Sequence, residues 1–171
     1  MASGRLILRA TVGGLMCGHG LQKLNGSFGG PGLKGTEQTM RAIGMEPAKP
    51  QAWAAALSET VGGGLTAAGF LSPLGPAMIT GTMAVAMKKV HLKNGLWLSK
   101  GGYEYNLMLI AAAFALAGEG PGLLSIDGLI RKQRSGPMWA IAQLALGLGV
   151  AAATMAVADR LAPKDGAVSP E

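Results

Sequence analysis

Charged residues are scarce in this sequence: Asp, Glu, Lys and Arg make up 14% of its 171 residues, against roughly 25% in soluble domains. Cysteine is almost missing, and the single Cys17 excludes both an internal disulfide and a CxxC redox pair. Aromatic residues amount to 5%, and no motif of interleaved basic and aromatic residues accompanies the net charge of +6. Nucleic acid is therefore not expected as a partner.

Apolar residues and glycine fill the space that charge leaves. Hydrophobic residues make up 49% of the chain and glycine contributes 28 residues, a combination typical of membrane helices that approach one another closely. The sequence predicts an all-α integral membrane bundle, placed as a multi-pass protein in the cell membrane (the inner or plasma membrane of a prokaryote). Five apolar runs of roughly the ~20 residues that cross a bilayer are the predicted spans: 6–24, 52–71, 76–92, 105–118 and 137–158.

The connections between these runs also carry signals. In the first connection, residues 36–43 predict a short helix that begins at an N-cap, Thr36, stops at Gly44, and lies in the interface or folds over the bundle. Residues 72–76, SPLGP, predict a tight turn between antiparallel spans. Arg9 is expected to snorkel to the near membrane face. The connection before the fifth run is predicted to be basic and mostly polar, and the tail from Asp159 to be disordered.

Antiparallel spans bring many of the polar residues to one membrane face. Glu59 is expected about 10 Å below that face, from the 1.5 Å rise per helical residue, where an ionisable group needs a partner, a proton or water. Gly62, Gly63 and Thr66 follow it at helical spacing and predict close approach of a neighbouring helix. The predicted polar layer consists of His19, Gln22, Lys23, Glu59, Lys88, Lys89, His91, Tyr103 and Glu104.

Each member of this layer also has a plainer interpretation. The lysines are expected to act as interfacial anchors. Glu59 is either part of a functional site or a buried partner of Lys23 or a histidine that holds the helices in register. His19 and His91 as a metal or haem pair form a weak signature, because two histidines on different helices have no fixed ligand spacing. No metal site is predicted.

Six motifs, in this order and spacing, resemble the DoxX family: HGLQKL at 19–24, FGGPGLKGT at 28–36, SETVGG at 58–63, VHLKNG at 90–95, GGYEYNL at 101–107 and GPGLLSID at 120–127. The resemblance covers about residues 5–130. It implies a four-helix membrane domain at 1–130, to which 131–158 adds a basic loop and a fifth, C-terminal membrane helix, before the tail at 159–171. It also implies a link with membrane oxidoreductase systems, including thiosulfate:quinone oxidoreductase subunits and oxidative-stress complexes.

Two hypotheses of different classes follow for the function. The first is a membrane subunit of an oxidoreductase or oxidative-stress complex. If the chain takes part in catalysis, it would do so as a subunit of a quinone-linked oxidoreductase. It would bind a quinone, favoured over haem, with His19 or His91 as hydrogen-bond donor and Glu59 or Glu104 as proton acceptor. Its catalytic residues are predicted to be His19, Glu59 and His91, and its substrate-binding residues Gln22, Lys23, Tyr103 and Glu104.

Because the sequence has no nucleotide or flavin fingerprint, electrons in such a reaction come from a partner or an unrecognised cofactor. Redox proteins, soluble or membrane-bound, and membrane lipid are therefore the expected partners. The second hypothesis is a non-catalytic scaffold or small-molecule carrier. Such a protein would dock soluble enzymes at the membrane through its long first connection, residues 25–51.

Overall fold

The computed structural model describes residues 2–162, and throughout that range the ordered elements are helical, with no strand. Five long helices correspond to the five predicted apolar runs, and two shorter helices lie in the connections. The α-helices are α1 (Ala2–Asn25), α2 (Gly32–Ala42), α3 (Ala48–Ala68), α4 (Leu74–Ala86), α5 (Glu104–Glu119), α6 (Ile126–Leu129) and α7 (Pro137–Leu161).

The long helices pack as an antiparallel bundle. α1 lies along α3, and α4 occupies the centre, where it contacts α3, α5 and α7. The turn predicted at 72–76 is confirmed at Ser72 and Pro73, and α4 begins earlier than expected, at Leu74 within the predicted range. One face of the bundle therefore holds the end of α1, the start of α3, the end of α4 and the start of α5. We call this the cavity face and the opposite face of the bundle the loop face.

Glycines set the distance between the helices around Glu59. A Cβ atom on Gly63 would overlap the backbone of Cys17 in α1, and one on Gly62 would lie 2.7 Å from the Cβ of Met78 in α4. The predicted close approach beside Glu59 is thus confirmed on both sides of α3. Gly20 packs in the same way against Thr60. Small residues permit this contact because they let the helix backbones approach closely, which increases the van der Waals packing that stabilises bundled membrane helices.

Two local predictions in the first connection have different outcomes. The short helix exists, but it starts at Gly32, four residues early, so the prediction of Thr36 as N-cap is wrong. The Thr36 hydroxyl instead donates to the Gly32 carbonyl, 2.8 Å away, inside the helix. The stop is confirmed: α2 ends at Ala42, and Gly44 adopts a positive φ of 70°. α2 contacts α1 and α3 and so folds over the bundle.

The end of the third run departs from a regular α-helix. After Ala86 the chain continues through one π-helical turn, Met87–His91. Such widened turns shift the following side chains around the helix axis and are frequent at functional sites. Here the widened turn ends at His91.

Arg9 does not snorkel to water. Only 4% of the residue is exposed, and its Nη1 donates to the carbonyl of Ala67 at 2.7 Å while Nη2 donates to that of Leu124. Ala67 lies in the last turn of α3, where carbonyl groups have no helical partner and carry partial negative charge. The guanidinium therefore stabilises the α3 terminus instead of reaching the surface.

The segment before α7 is also not the mostly polar loop that the sequence predicted. It contains α6, whose N-cap Ser125 accepts from the Gly128 amide at 2.9 Å, and its leucines are exposed. At the other end, α7 extends past the predicted boundary to Leu161. Asp159 is part of that helix and forms an ion pair with Lys89, with 2.7 Å between Nζ and Oδ1. The rest of the predicted disordered tail, from residue 163, lies outside the described residues.

Length and hydropathy together single out α7 among residues 2–162 as a helix able to cross a membrane. Its first turn contains the predicted Pro137. The helices of 13 and 16 residues, α4 and α5, are shorter than a full span. α1 and α3 are long enough, but they carry charged residues within their length, including Arg9 and Glu59.

Candidate functional site: a cavity with one polar end

A cavity of about 460 Å³ lies among α1, α2, α3, α4 and α7, with the first turn of α5 at its edge. Its lining is mostly apolar. Methionines are prominent, and their unbranched, flexible side chains can adapt to ligands of different outline. The methionines in the lining are Met16, Met40, Met45, Met78 and Met83.

The polar end of this cavity is built by α1 and α3, and His91 lines the same cavity from the turn after α4. α1 contributes His19 and Lys23 from its last turns, α3 contributes Glu59, and the π-helical turn after α4 contributes His91. The structure thus brings the three predicted catalytic residues, and one predicted binding residue, to a single cavity. Antiparallel connectivity explains this placement, because Glu59 in the middle of α3 lies level with the last turns of α1, and α4 ends towards the same face.

Lys23 and Glu59 form an ion pair across α1 and α3, with 2.5 Å between Nζ and Oε2. Of the two side chains, Glu59 is 4% exposed and Lys23 is 27% exposed. The interpretation of Glu59 as a buried partner of Lys23 is therefore confirmed. The ion pair does not remove these two residues from the cavity, since both also belong to its lining. His19 lies within electrostatic range of the same carboxylate.

Both histidines are oriented through Nδ1. His91 Nδ1 lies 2.8 Å from the Gly101 carbonyl oxygen, and His19 Nδ1 lies 3.0 Å from Oε1 of Gln22. A carbonyl oxygen can only accept, so each Nδ1 carries a hydrogen and donates it. In the neutral ring this leaves Nε2 as a hydrogen-bond acceptor, and in the protonated ring Nε2 becomes a donor. The predicted donor role is thus tied to the protonated state.

Three predicted substrate-binding residues do not line the cavity. Gln22 stands behind His19 and fixes its ring. The Glu104 carboxylate accepts from the Leu98 amide at 3.0 Å, which holds the connection between α4 and α5 and leaves it no place as proton acceptor in the cavity. Tyr103 precedes α5, and the residues from this motif that reach the lining are Tyr105 and Asn106. The direction of side chains at the start of a helix could not be read from the motif.

Sequence reasoning also missed polar residues in the lining. Asn106 is buried next to the cavity, and its Nδ2 lies 3.5 Å from the sulfur of Met83. Its signal was available, since it belongs to the GGYEYNL motif. Ser58 and Gln51 line the cavity from α3. Ser58 had the same kind of signal, since it is the first residue of the SETVGG motif, whereas Gln51 had none except its place eight residues before Glu59.

A second buried cluster, at the loop face, was not predicted. The Asp127 carboxylate is 2% exposed and accepts from the amides of Leu71 and Ser72, at 3.0 and 2.8 Å. It secures the turn between α3 and α4, next to the Arg9 contacts. The GPGLLSID motif ends on this aspartate, so the motif marked a structural anchor.

No group of three or more His, Cys, Asp or Glu residues within 2–162 is placed to hold a metal ion. A model of the DoxX family matches residues 4–92, just over half of the chain.

The chain belongs to the DoxX family. DoxX proteins are membrane proteins of the type associated with oxidoreductase and stress systems, and this one shares the part that holds His19, Lys23, Glu59 and His91. No curated protein and no solved structure matches the chain. The match is shorter than the resemblance at 5–130 suggested, since it ends within the connection after α4. α5, the Asp127 anchor and α7 lie beyond it.

Proposed function

We propose that this DoxX protein binds the headgroup of a quinone at the polar end of the cavity and serves as a membrane subunit of an oxidoreductase or oxidative-stress complex. The observation that carries the proposal is that His19, Lys23, Glu59 and His91 line one mostly apolar cavity, with Lys23 and Glu59 paired. A quinone has the matching form, with polar oxygens on a ring and an apolar chain.

The residues present fit such a ligand. A cavity of about 460 Å³ lies in the size range of small-molecule sites, which are mostly apolar with a few converging polar groups. When neutral, the Nε2 atoms of His19 and His91 would accept hydrogen bonds from a reduced headgroup, and when protonated they would donate to an oxidised one. The tail would lie against the apolar lining from α4 and α7, such as Met78, Leu146 and Val150.

Quinones carry electrons together with protons, and residues of this chain can transfer the protons. His19 and His91 can take up or release a proton at Nε2. The Lys23–Glu59 pair can hold charged groups next to the headgroup because each charge compensates the other. A single buried charge would carry a larger desolvation penalty. Electrons would pass to or from a redox protein at the membrane, which is the partner this proposal requires.

A carrier or scaffold remains the second candidate, and one feature favours it. α2 lies over the bundle and contributes Met40 and Ile43 to the cavity wall, so the long first connection covers the site as a lid over a carried ligand would. In that case the ligand would be held without redox chemistry, and soluble enzymes would dock on the first connection.

We also propose that α1, α3, α4 and α5 cross the membrane together with α7. The support is the antiparallel bundle, in which α4 lies among α3, α5 and α7. The π-helical turn and flanking loops add length to α4 and α5. The Lys23–Glu59 pair provides compensation for the charge inside α3.

The test is binding of a short-chain ubiquinone analogue to the protein purified in mild detergent, measured by equilibrium dialysis. His91→Gln should weaken binding about three- to tenfold, the worth of one net hydrogen bond. The matched control is Lys93→Gln, two residues away and outside the cavity lining. Redox difference spectra and mass spectrometry of co-purifying small molecules accompany the measurement. Absence of quinone binding, with another apolar molecule co-purified in its place, would favour the carrier.

A further inference from the structure

The loop face carries a segment, residues 120–134, whose polarity is inverted over residues 120–130. Its polar residues Ser125 and Asp127 are buried, whereas Leu123 and Leu129 are 73% and 79% exposed. A loop in water would do the opposite, since apolar side chains gain by leaving water. The inversion indicates that the surroundings of this segment are not water alone.

The exposure of these leucines is fixed by the backbone. Asp127 holds the segment because its carboxylate accepts hydrogen bonds from two backbone amides, and its own amide donates to the Gly69 carbonyl at 3.0 Å. Arg9 holds the carbonyl of Leu124 from inside the bundle. With these anchors in place, the leucines cannot turn inward without breaking buried hydrogen bonds.

Basic residues adjoin the leucines. Arg131, Lys132 and Arg134 are exposed, and Arg5 lies next to the segment, with 2.6 Å between its Nη1 and the carbonyl oxygen of Glu119, the residue just before it. None of these four residues takes part in a salt bridge within residues 2–162. The patch therefore carries positive charge that the described part of the chain does not neutralise.

The segment ends just before α7. Arg134 stands three residues before Pro137, the start of α7, and its guanidinium lies 5.2 Å from the ring centroid of Trp139. α7 is the helix best suited to cross a membrane, and tryptophan concentrates at the headgroup level. In a membrane crossed by α7, the basic side chains would thus meet lipid headgroups, and Leu123 and Leu129 would meet the acyl chains below them.

We propose that residues 120–134, together with Arg5, form a binding site for anionic phospholipids. Guanidinium groups pair well with phosphate oxygens, and basic clusters next to a membrane helix attract lipids of net negative charge. The flanking leucines favour a lipid over the other candidate, an acidic protein surface, because a lipid satisfies both the charge and the apolar exposure. This site is at the opposite face from the quinone proposal and does not depend on it.

The experiment uses the full chain with Trp53→Phe and Trp97→Phe, which leaves Trp139 as the single reporter beside the patch. The protein is reconstituted into vesicles, and its fluorescence is quenched with phosphatidylglycerol or phosphatidylcholine brominated on the acyl chains. We expect the apparent binding of the brominated phosphatidylglycerol to be about fivefold stronger, the factor for one basic residue near an anionic surface. High salt should reduce that preference.

The decisive variant is Arg131→Gln with Lys132→Gln, which should bring the two lipids close to equal quenching. The matched control, Lys93→Gln with Lys100→Gln, removes the same charge at the cavity face and should keep the preference. Circular dichroism confirms that each variant is folded. Equal quenching in the parent protein, a preference that survives the decisive variant, or an equal loss in the control would each overturn the proposal.

Discussion

Replacing Lys23 by methionine should destabilise this protein more than replacing Glu59 by glutamine, although both changes break the same ion pair. The two side chains differ in exposure, at 27% for Lys23 and 4% for Glu59. In Glu59→Gln the ammonium that remains is partly exposed and its long stem can carry it towards water. In Lys23→Met a carboxylate remains buried without its partner.

The magnitudes follow from these exposures. Glu59→Gln loses one charge-assisted hydrogen bond, with an expected cost of about 1–2 kcal/mol. Lys23→Met can escape the cost of a lone buried charge by protonating the carboxyl. For an ordinary glutamate that costs about 3.7 kcal/mol at pH 7, at 1.36 kcal/mol for each pH unit above 4.3. The expected loss for Lys23→Met therefore approaches ~4 kcal/mol at pH 7 and falls by about 1.4 kcal/mol per unit of acidification.

The assay is unfolding in mixed micelles, followed by tryptophan fluorescence at pH 7 and pH 6, for the parent, both single variants and the double variant. Because the double variant leaves no buried charge, it should be about as stable as Glu59→Gln alone, and the cycle should show strong coupling between the two sites. A Lys23→Met protein no less stable than Glu59→Gln, or a double variant whose losses simply add, would refute the reasoning.

Two further predictions concern packing and topology. Gly20→Ala should destabilise the protein by about 1–3 kcal/mol, because its Cβ would overlap the backbone of Thr60, whereas Gly18→Ala meets open space and should leave the unfolding midpoint unchanged or raised. If five helices cross the membrane, reporter fusions near Ser3 and after Glu171 should report opposite sides, and reports from the same side would remove one crossing.

The sequence was sufficient to predict the helices and the neighbourhood of the site, for a physical reason. Apolar runs of membrane length form helices almost without regard to context, because backbone groups in hydrocarbon must bond within their own segment. Alternating direction then places the ends of α1 and α4 beside the start of α3. His19, Glu59 and His91 could be assigned to one cavity face on that ground alone.

Side-chain direction could not be predicted in the same way. Glu104 and Tyr103 lie at the predicted level, but one is used to bond the Leu98 amide and the other lies outside the cavity lining. Which way a residue points at a helix start depends on where the helix begins, and sequence signals leave that uncertain by a residue or two. Arg9 was mispredicted because its partners are carbonyl groups of α3 and of the 120–134 segment, which only folding brings together.

The buried charged groups have different partners at the two faces of the bundle, and this difference indicates at which face a ligand can exchange. At the loop face Arg9 and Asp127 are bound to backbone groups, so movement there would break the turns that join the helices. At the cavity face Lys23 and Glu59 are bound to each other, and the side chains next to them, His19 and His91, each keep an Nε2 directed away from their Nδ1 anchors. Bonds between side chains can be exchanged for bonds to a ligand without unfolding a turn. A ligand headgroup is therefore expected to be exchanged at the cavity face, while the loop face remains fixed in the membrane.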